Sequence, residues 1–319
     1  MNKPLVSIII NCYNGEKYLN EAIDSIINQT YTNWEVIFWD NCSTDNSAGI
    51  ILNIKDGRIH YYKSQQHTKL GFARASALNK VSGKYVTFLD CDDMWVRHKL
   101  DTQVRLISSG DYGYTYAGHM VIAESGRMLG KYVPREKSDI FFENLVKNFN
   151  IDMVTPMIKM TALVENSITF NSDMFGSEEI NLFLRLSLKS KGIALNEILG
   201  YSRRVDNSLT SRTKDKWHQD MSVTLNQLKS ENPALDKTYR EQIKYLIFKI
   251  CYFKAKWLML EKKHNKAKKV LNECDANFKI LIVLRFFVNY PLLWQFIHFL
   301  KEKFIFLKNN NTYRNYISR

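Results

Sequence analysis

The feature that most constrains this chain is an alternation in its first hundred residues. Short apolar runs rich in β-branched and aromatic residues occupy Val6 to Ile10, Trp34 to Trp39, Arg58 to Tyr62 and Tyr85 to Leu89. Between them lie stretches with helical spacing: Ala22, Ile23, Ile26 and Ile27, then Ala48 to Ile54, then Phe72 to Val81 before the turn at Ser82-Gly83. Strand–helix–strand repeats of this kind bury a mainly parallel sheet, so the expected class is α/β. Ligands in open α/β sheets bind beyond the carboxyl ends of the strands. Those ends are polar here: Asn11-Cys12-Tyr13-Asn14-Gly15, Asp40-Asn41-Cys42-Ser43-Thr44-Asp45 and Asp90-Cys91-Asp92-Asp93.

From about residue 110 to 210 the pattern is less regular. It contains a Thr155-Pro156 turn and one amphipathic helix from Glu178 to about Lys189, with Ser177 as the expected N-cap and Gly192 as the expected terminator. Beyond Ser211 the composition turns to Lys, Leu and aromatics and reads as helical. The expected organisation is a catalytic domain over 1–210, with a nucleotide-binding half (1–110) and an acceptor half (111–210), followed by a helical, basic-aromatic region over 211–319.

At 319 residues, 45% apolar and 24% charged, the chain is long enough for one catalytic domain plus an appendage around a sizeable core. The formal charge of +13 and pI near 9.3 favour anionic partners: nucleotide phosphates, phospholipid head groups or nucleic acid. The basic residues are dispersed and form no recognised nucleic-acid module, which argues against nucleic acid. The first strand is followed by no GxGxxG turn, which argues against a dinucleotide-dependent oxidoreductase. Five scattered cysteines without CxxC spacing fit a reducing compartment, and the N-terminus lacks the layout of a signal peptide, so a cytoplasmic location is expected.

Three constellations carry chemistry. Asp90, Asp92 and Asp93 gather three carboxylates at one strand end, where a hard divalent cation relieves their repulsion and could bridge a diphosphate. The plainer reading is an acidic loop capping the next helix. Asp40 to Asp45 offers donors and acceptors to the edge of a base, or a turn in which Ser43 or Asp45 caps a helix. Glu178 and Glu179 open the later helix, where carboxylates favour the dipole; one of them, about 100° from its neighbour, could face the cleft as a general base.

Taken in order, Pro4 to Asn14, Asp40 to Asp45, Asp90 to Asp93 and Gly176-Ser177-Glu178-Glu179 resemble family 2 glycosyltransferases of the GT-A fold, over about residues 4 to 210. The resemblance implies an inverting enzyme of bacterial surface-polysaccharide or glycolipid synthesis, with a nucleotide-diphospho-sugar donor, a glycan or lipid-linked acceptor, and Mg2+ or Mn2+. It implies donor contacts from Asn11, Cys12, Tyr13, Asn14, Asp40, Asn41, Arg74 and the DxD motif Asp90-Cys91-Asp92, metal contacts from Asp92 and Asp93, and Glu179 as catalytic base, six positions before Arg185. Arg203 and Arg204 are implied phosphate contacts, and Asp206 stands where the family commonly has His. The family's usual Asp-Asp-Gly-Ser is Asp40-Asn41-Cys42-Ser43 here. The alternative from another class is a non-catalytic relative that binds nucleotide or scaffolds a complex.

In the C-terminal third, Ile243, Leu246, Ile247 and Ile250, then Ala267, Val270 and Leu271, predict a helical hairpin over 240–275. From Ile280 to Leu307, aromatics including Phe286, Tyr290, Trp294, Phe299 and Phe304 alternate with Lys and Arg. Arg285, Asn289 and Pro291 interrupt the run too soon for a transmembrane helix. Two readings stand: an interfacial helix on the inner face of the cytoplasmic membrane, or a stripe packed on the catalytic domain or on a second subunit of a homo-oligomer.

Overall fold

The computed structural model describes residues 3–134, 138–205, 208, 212–276 and 278–296. Asp206, and the aromatic tail beyond residue 296 with Phe299 and Phe304, lie outside them. Two compact units are formed, Met1–Ser211 and Arg212–Arg319.

The first unit is built on one mixed sheet. Its parallel half comprises β1 (Val6–Cys12), β2 (Trp34–Asp40), β3 (Ile59–Lys63) and β4 (Tyr85–Phe88), in the order β3-β2-β1-β4. The crossovers are α1 (Leu19–Ile27), α2 (Ser47–Leu52) and α3 (Leu70–Leu78). All seven residues of β1 are buried, as an uninterrupted VSIII run demands of a central strand covered on both faces. Leu19, Ala22, Ile23 and Ile26 of α1 share one core with Val6, Ile8, Ile10, Trp34, Val36 and Phe38. Each such aliphatic side chain contributes roughly 1.5–3 kcal/mol by leaving water.

Beyond β4 the sheet continues through β9 (Met157–Lys159), β6 (Tyr114–Ala123), β10 (Gly192–Arg204) and β5 (Met94–Trp95), with β7 (Met128–Tyr132) on β6 and β8 (Ser138–Ile140) on β10. β9 is antiparallel to β4 and β6, whereas β10 runs parallel to β6. The remaining helices are α4 (Lys99–Ser108), α5 (Phe142–Lys147), α6 (Met160–Val164) and α7 (Glu178–Ser187).

The irregular stretch expected over 110–210 therefore holds half of the sheet. Its longest strand hides its period because β10 slips register twice, between Ala194 and Ile198 and between Ile198 and Gly200, so apolar residues do not alternate cleanly. Gly192 does not terminate the preceding helix. It opens β10 with its α-carbon against the Tyr114 ring, where an added Cβ would lie 2.2 Å from Cζ. Ser177 occupies the N-cap position of α7 without a side-chain cap bond.

The second unit contains α8 (Trp217–Glu231), α9 (Leu235–Thr238), α10 (Arg240–Leu260), α11 (His264–Asn272) and α12 (Lys279–Phe287). Leu258 and Met259 of α10, Ala267 and Leu271 of α11 and Leu281 and Leu284 of α12 form its core with Trp294. Among the described residues no helix is long and apolar enough to cross a membrane.

Candidate active site

The strand order reverses direction between β1 and β4, the position at which α/β sheets open a crevice for ligands. The register pairing Ile9 with Phe88 carries forward to set Cys12 beside Cys91. Gly15 lies over both thiols: a Cβ there would stand 2.6 Å from Cys91 Sγ and 2.8 Å from Cys12 Sγ. Asn11 is buried on the same edge, and its Nδ2 has no hydrogen-bond partner among the described residues.

The loops after β1 and β2 are laced together. Asn14 N–H donates to Ser43 Oγ (3.0 Å), Gly15 N–H to Ser47 Oγ (2.9 Å) and Glu16 N–H to Asp45 Oδ2 (2.9 Å). In return Thr44 N–H donates to Asn14 Oδ1 (2.8 Å) and Asn46 N–H to Glu16 Oε2 (2.7 Å). Asn14 and Cys42 hold φ of 56° and 66°, left-handed conformations that these bonds stabilise. Asn14, Ser43 and Asp45 thus shape the loops, and the residue at the N-cap position of α2 is Asn46.

Asp40, fully buried, accepts from Ser43 N–H (2.7 Å) and from the Tyr61 hydroxyl (2.7 Å). The Asn41 amide is taken up by Thr68: Nδ2 donates to Thr68 O (2.8 Å), and Oδ1 accepts from Thr68 N–H and Oγ1. Tyr13 remains 45% exposed at this edge, its ring 4.0 Å from that of His67, whose Nδ1 lies 3.1 Å from Asn41 O. Sequence reasoning missed His67. It sits in a loop with no pattern of its own, and only the return of the chain to the β2 edge brings it beside Tyr13.

The acidic cluster divides by role. Asp93 is buried and accepts Arg203 N–H (2.7 Å), so its carboxylate ties β10 to the loop after β4. Burial, together with Asp92 and Asp90, pushes its carboxyl well above the usual range. Among the described residues the side chain of Asp92 accepts only from its own backbone N–H, and burial followed by the charge of Asp90 pushes it up to about 6. Arg203 is nearly buried: Nε donates to Asp92 O (2.9 Å), Nη2 to Glu21 Oε2 (2.7 Å), and the guanidinium lies 4.3 Å from the Tyr18 ring. Arg204, one residue further along a strand, points to the other side and is exposed. Of the implied pair, Arg203 is the one built into the acidic cluster.

Arg74 joins this cluster to α7. From α3, its Nη2 donates to Asp90 Oδ1 (2.8 Å) and its Nη1 to Glu178 Oε1 (2.5 Å), with the Arg74 and Glu178 side chains 4% and 1% exposed. Glu178 is thereby committed, and its neighbour Glu179 is the carboxyl left over. Burial, then the charge of Glu178, pushes Glu179 up to about 8, against the opposing pull of Arg74; Asp152 adds to the rise. Arg185 holds α7 in place through Thr169 O (2.9 Å). Asp152 also raises Asp92 and Asp93, and lies 3.4 Å from His119 Nε2. Asp152 carried no signal in the sequence: it sits in a loop, where its Oδ1 accepts from Val154 N–H (3.2 Å).

Among the described residues no set of three His, Cys, Asp or Glu side chains surrounds a common point. Asp92, uncommitted and with its proton affinity raised by Asp90, nevertheless suits Mg2+ or Mn2+, which commonly binds through one or two carboxylates plus substrate phosphates and water. Asp93 differs in that its Oδ1 already accepts from Arg203 N–H.

A family model described as glycosyl transferase family 2 matches residues 7–162. TuaG of Bacillus subtilis (strain 168), a putative teichuronic acid biosynthesis glycosyltransferase, is 30% identical over 280 residues, covering 84% of this chain and 98% of TuaG. This chain belongs to glycosyl transferase family 2. It is a glycosyltransferase. WfgD of Escherichia coli, a UDP-Glc:alpha-D-GlcNAc-diphosphoundecaprenol beta-1,3-glucosyltransferase, is 33% identical over 170 residues, 53% of this chain and 66% of WfgD. The structure of S. aureus TarS 1-349 with UDP-GlcNAc superposes with a TM-score of 0.69 at 18% identity, covering 90% of this chain and 87% of that one. A mannosyltransferase from Pyrobaculum calidifontis, in complex with GDP-Man and Mn2+, gives a TM-score of 0.59 at 15% identity, covering 91% and 86%. At such identities the likeness establishes the fold, which is GT-A.

Proposed function

We propose that this family 2 enzyme transfers a hexosyl residue from a UDP-sugar to a lipid-linked glycan acceptor at the cytoplasmic membrane face, with inversion at the anomeric carbon. The donor and acceptor classes are supported by the names of WfgD and of the TarS complex. The observation that carries the mechanism is the Arg74 bridge between Asp90 and Glu178, which occupies Glu178 and supports its neighbour Glu179, close enough to Arg74 to feel its charge, as the base.

The crevice between β1 and β4 receives the nucleoside diphosphate, with Tyr13 and His67 offering ring faces to the base. Asp92 would hold Mg2+ or Mn2+, which supplies positive charge to the departing diphosphate. Glu179 in its ionised form accepts the acceptor's hydroxyl proton as that oxygen bonds the anomeric carbon and the bond to the diphosphate breaks. Its raised proton affinity makes it a stronger base than an ordinary glutamate.

The test is calorimetric titration with UDP, dTDP and GDP, each with and without Mn2+. UDP binding that depends on Mn2+ and is lost in Asp92→Ala is the expected result. No binding of any nucleotide favours the non-catalytic alternative.

A further inference from the structure

The formal charge of this chain is segregated. Residues 1–211 hold 23 Lys and Arg against 23 Asp and Glu, whereas residues 212–319 hold 22 against 9, so the entire +13 belongs to the second unit. The described part of that unit, 212–296, already carries 17 against 8.

Beside this charge stands a helix that is apolar on two sides. Leu281 and Leu284 of α12 turn inward, while Ile282, Val283 and Phe286 turn outward and are 68%, 49% and 56% exposed. Residues 291–296, also helical, repeat the arrangement, with Trp294 inside and Leu292 and Phe296 outside. A helix hydrophobic all round expects cover on both faces. On α11, Ala267 and Leu271 face the core while Lys262 and Lys263 just before it, and Lys266, Lys268 and Lys269 within it, are exposed. Arg285 of α12 donates to Leu271 O (2.9 Å) and Asn272 O (3.2 Å), so the doubly apolar helix is tied to the C-terminal end of the lysine-rich one.

We propose that the second unit docks on an anionic phospholipid bilayer, inserting the outward face of α12 at the interface while the α11 lysines meet the head groups. This inference rests on surface chemistry and does not need the donor or acceptor reading above. A second copy would cover the apolar face but would bring one unit of +13 against another. A nucleic acid would meet the charge and leave Ile282 and Phe286 in water. An anionic bilayer satisfies both, with the helix lying in the surface plane.

The full chain is sedimented with vesicles of phosphatidylcholine alone and of phosphatidylcholine with phosphatidylglycerol. Binding to the mixed vesicles, weak binding to the neutral ones and release by salt are expected. Ile282→Asp with Phe286→Asp should lower the bound fraction at least about tenfold by removing the inserted face. Lys262→Glu with Lys266→Glu and Lys268→Glu should do the same about tenfold through charge, at exposed positions outside the helix packing. Equal binding to both vesicle types, or binding to neither, overturns the proposal. So does a dimer in sedimentation velocity that Ile282→Asp with Phe286→Asp dissociates while vesicle binding is absent. UDP titration separates the two readings, since vesicle binding without nucleotide binding removes only the proposed transferase specificity.

Discussion

At the scale of single residues, the site is organised by one guanidinium serving two carboxylates. Replacing Arg74 by Met leaves Glu178 buried without its cation, a loss of about 3–5 kcal/mol for a broken buried pair. The urea midpoint measures it, and a midpoint shift equivalent to less than about 1 kcal/mol would show that Glu178 finds another partner. Glu179 carries the pH dependence. Its folded value of about 8 lies above the ordinary glutamate value near 4.3, so between these pH values the folded state holds a proton that the unfolded chain has released. That stabilisation is complete below about pH 4 and is lost as pH rises through about 8. The ligand-free protein should therefore lose stability over this range, and Glu179→Gln should flatten the slope seen in denaturation at a series of pH values. The same substitution should lower kcat by about a hundredfold or more with donor binding intact, and retained transfer would remove Glu179 as base.

How much of this was legible depends on how each residue acts. The placement of Asp90 and Asp92 just past a strand end and of Glu179 at a helix start could be read because each borders a run with a clear period. Asp93 and Asn41 stand past the same strand ends, yet their side chains also bond Arg203 N–H and Thr68, partners fixed only by the folded return of the chain. Asp152 and His67 left no trace in the sequence because each works through neighbours far away along it.

At the scale of elements, the parallel half was readable because β1, β2 and β4 are short, mainly apolar runs separated by helical patterns. The second half was obscured by β10, whose two register slips break the two-residue period. The sequence position of Gly192 looked like a helix stop, whereas its work is to let a strand pass the Tyr114 ring. Gly192→Ala would drive a methyl into that ring and should cost roughly 1–3 kcal/mol by overpacking. A thermal melt checks this, and an unchanged midpoint would mean the ring has room to move. Gly71 is a similar close approach, its α-carbon facing Asn171 O, and with Lys69 Nζ donating to Asp173 O it brings α3 against the segment leading into α7. Arg74 reaches Glu178 because these backbones meet.

At the scale of the whole molecule, the candidate active site and the net charge reside in different units. Residues 1–211 balance their charges one for one near neutral pH, a condition in which protein molecules repel one another least and solubility reaches its minimum. In the intact chain the second unit supplies the mutual repulsion that keeps solutions dispersed. A fragment ending at residue 211 should cloud near neutrality at concentrations where the full chain stays clear, and should clear again when pH is moved away in either direction. Light scattering against pH would show whether the basic unit acts as the colloidal stabiliser of its neutral partner.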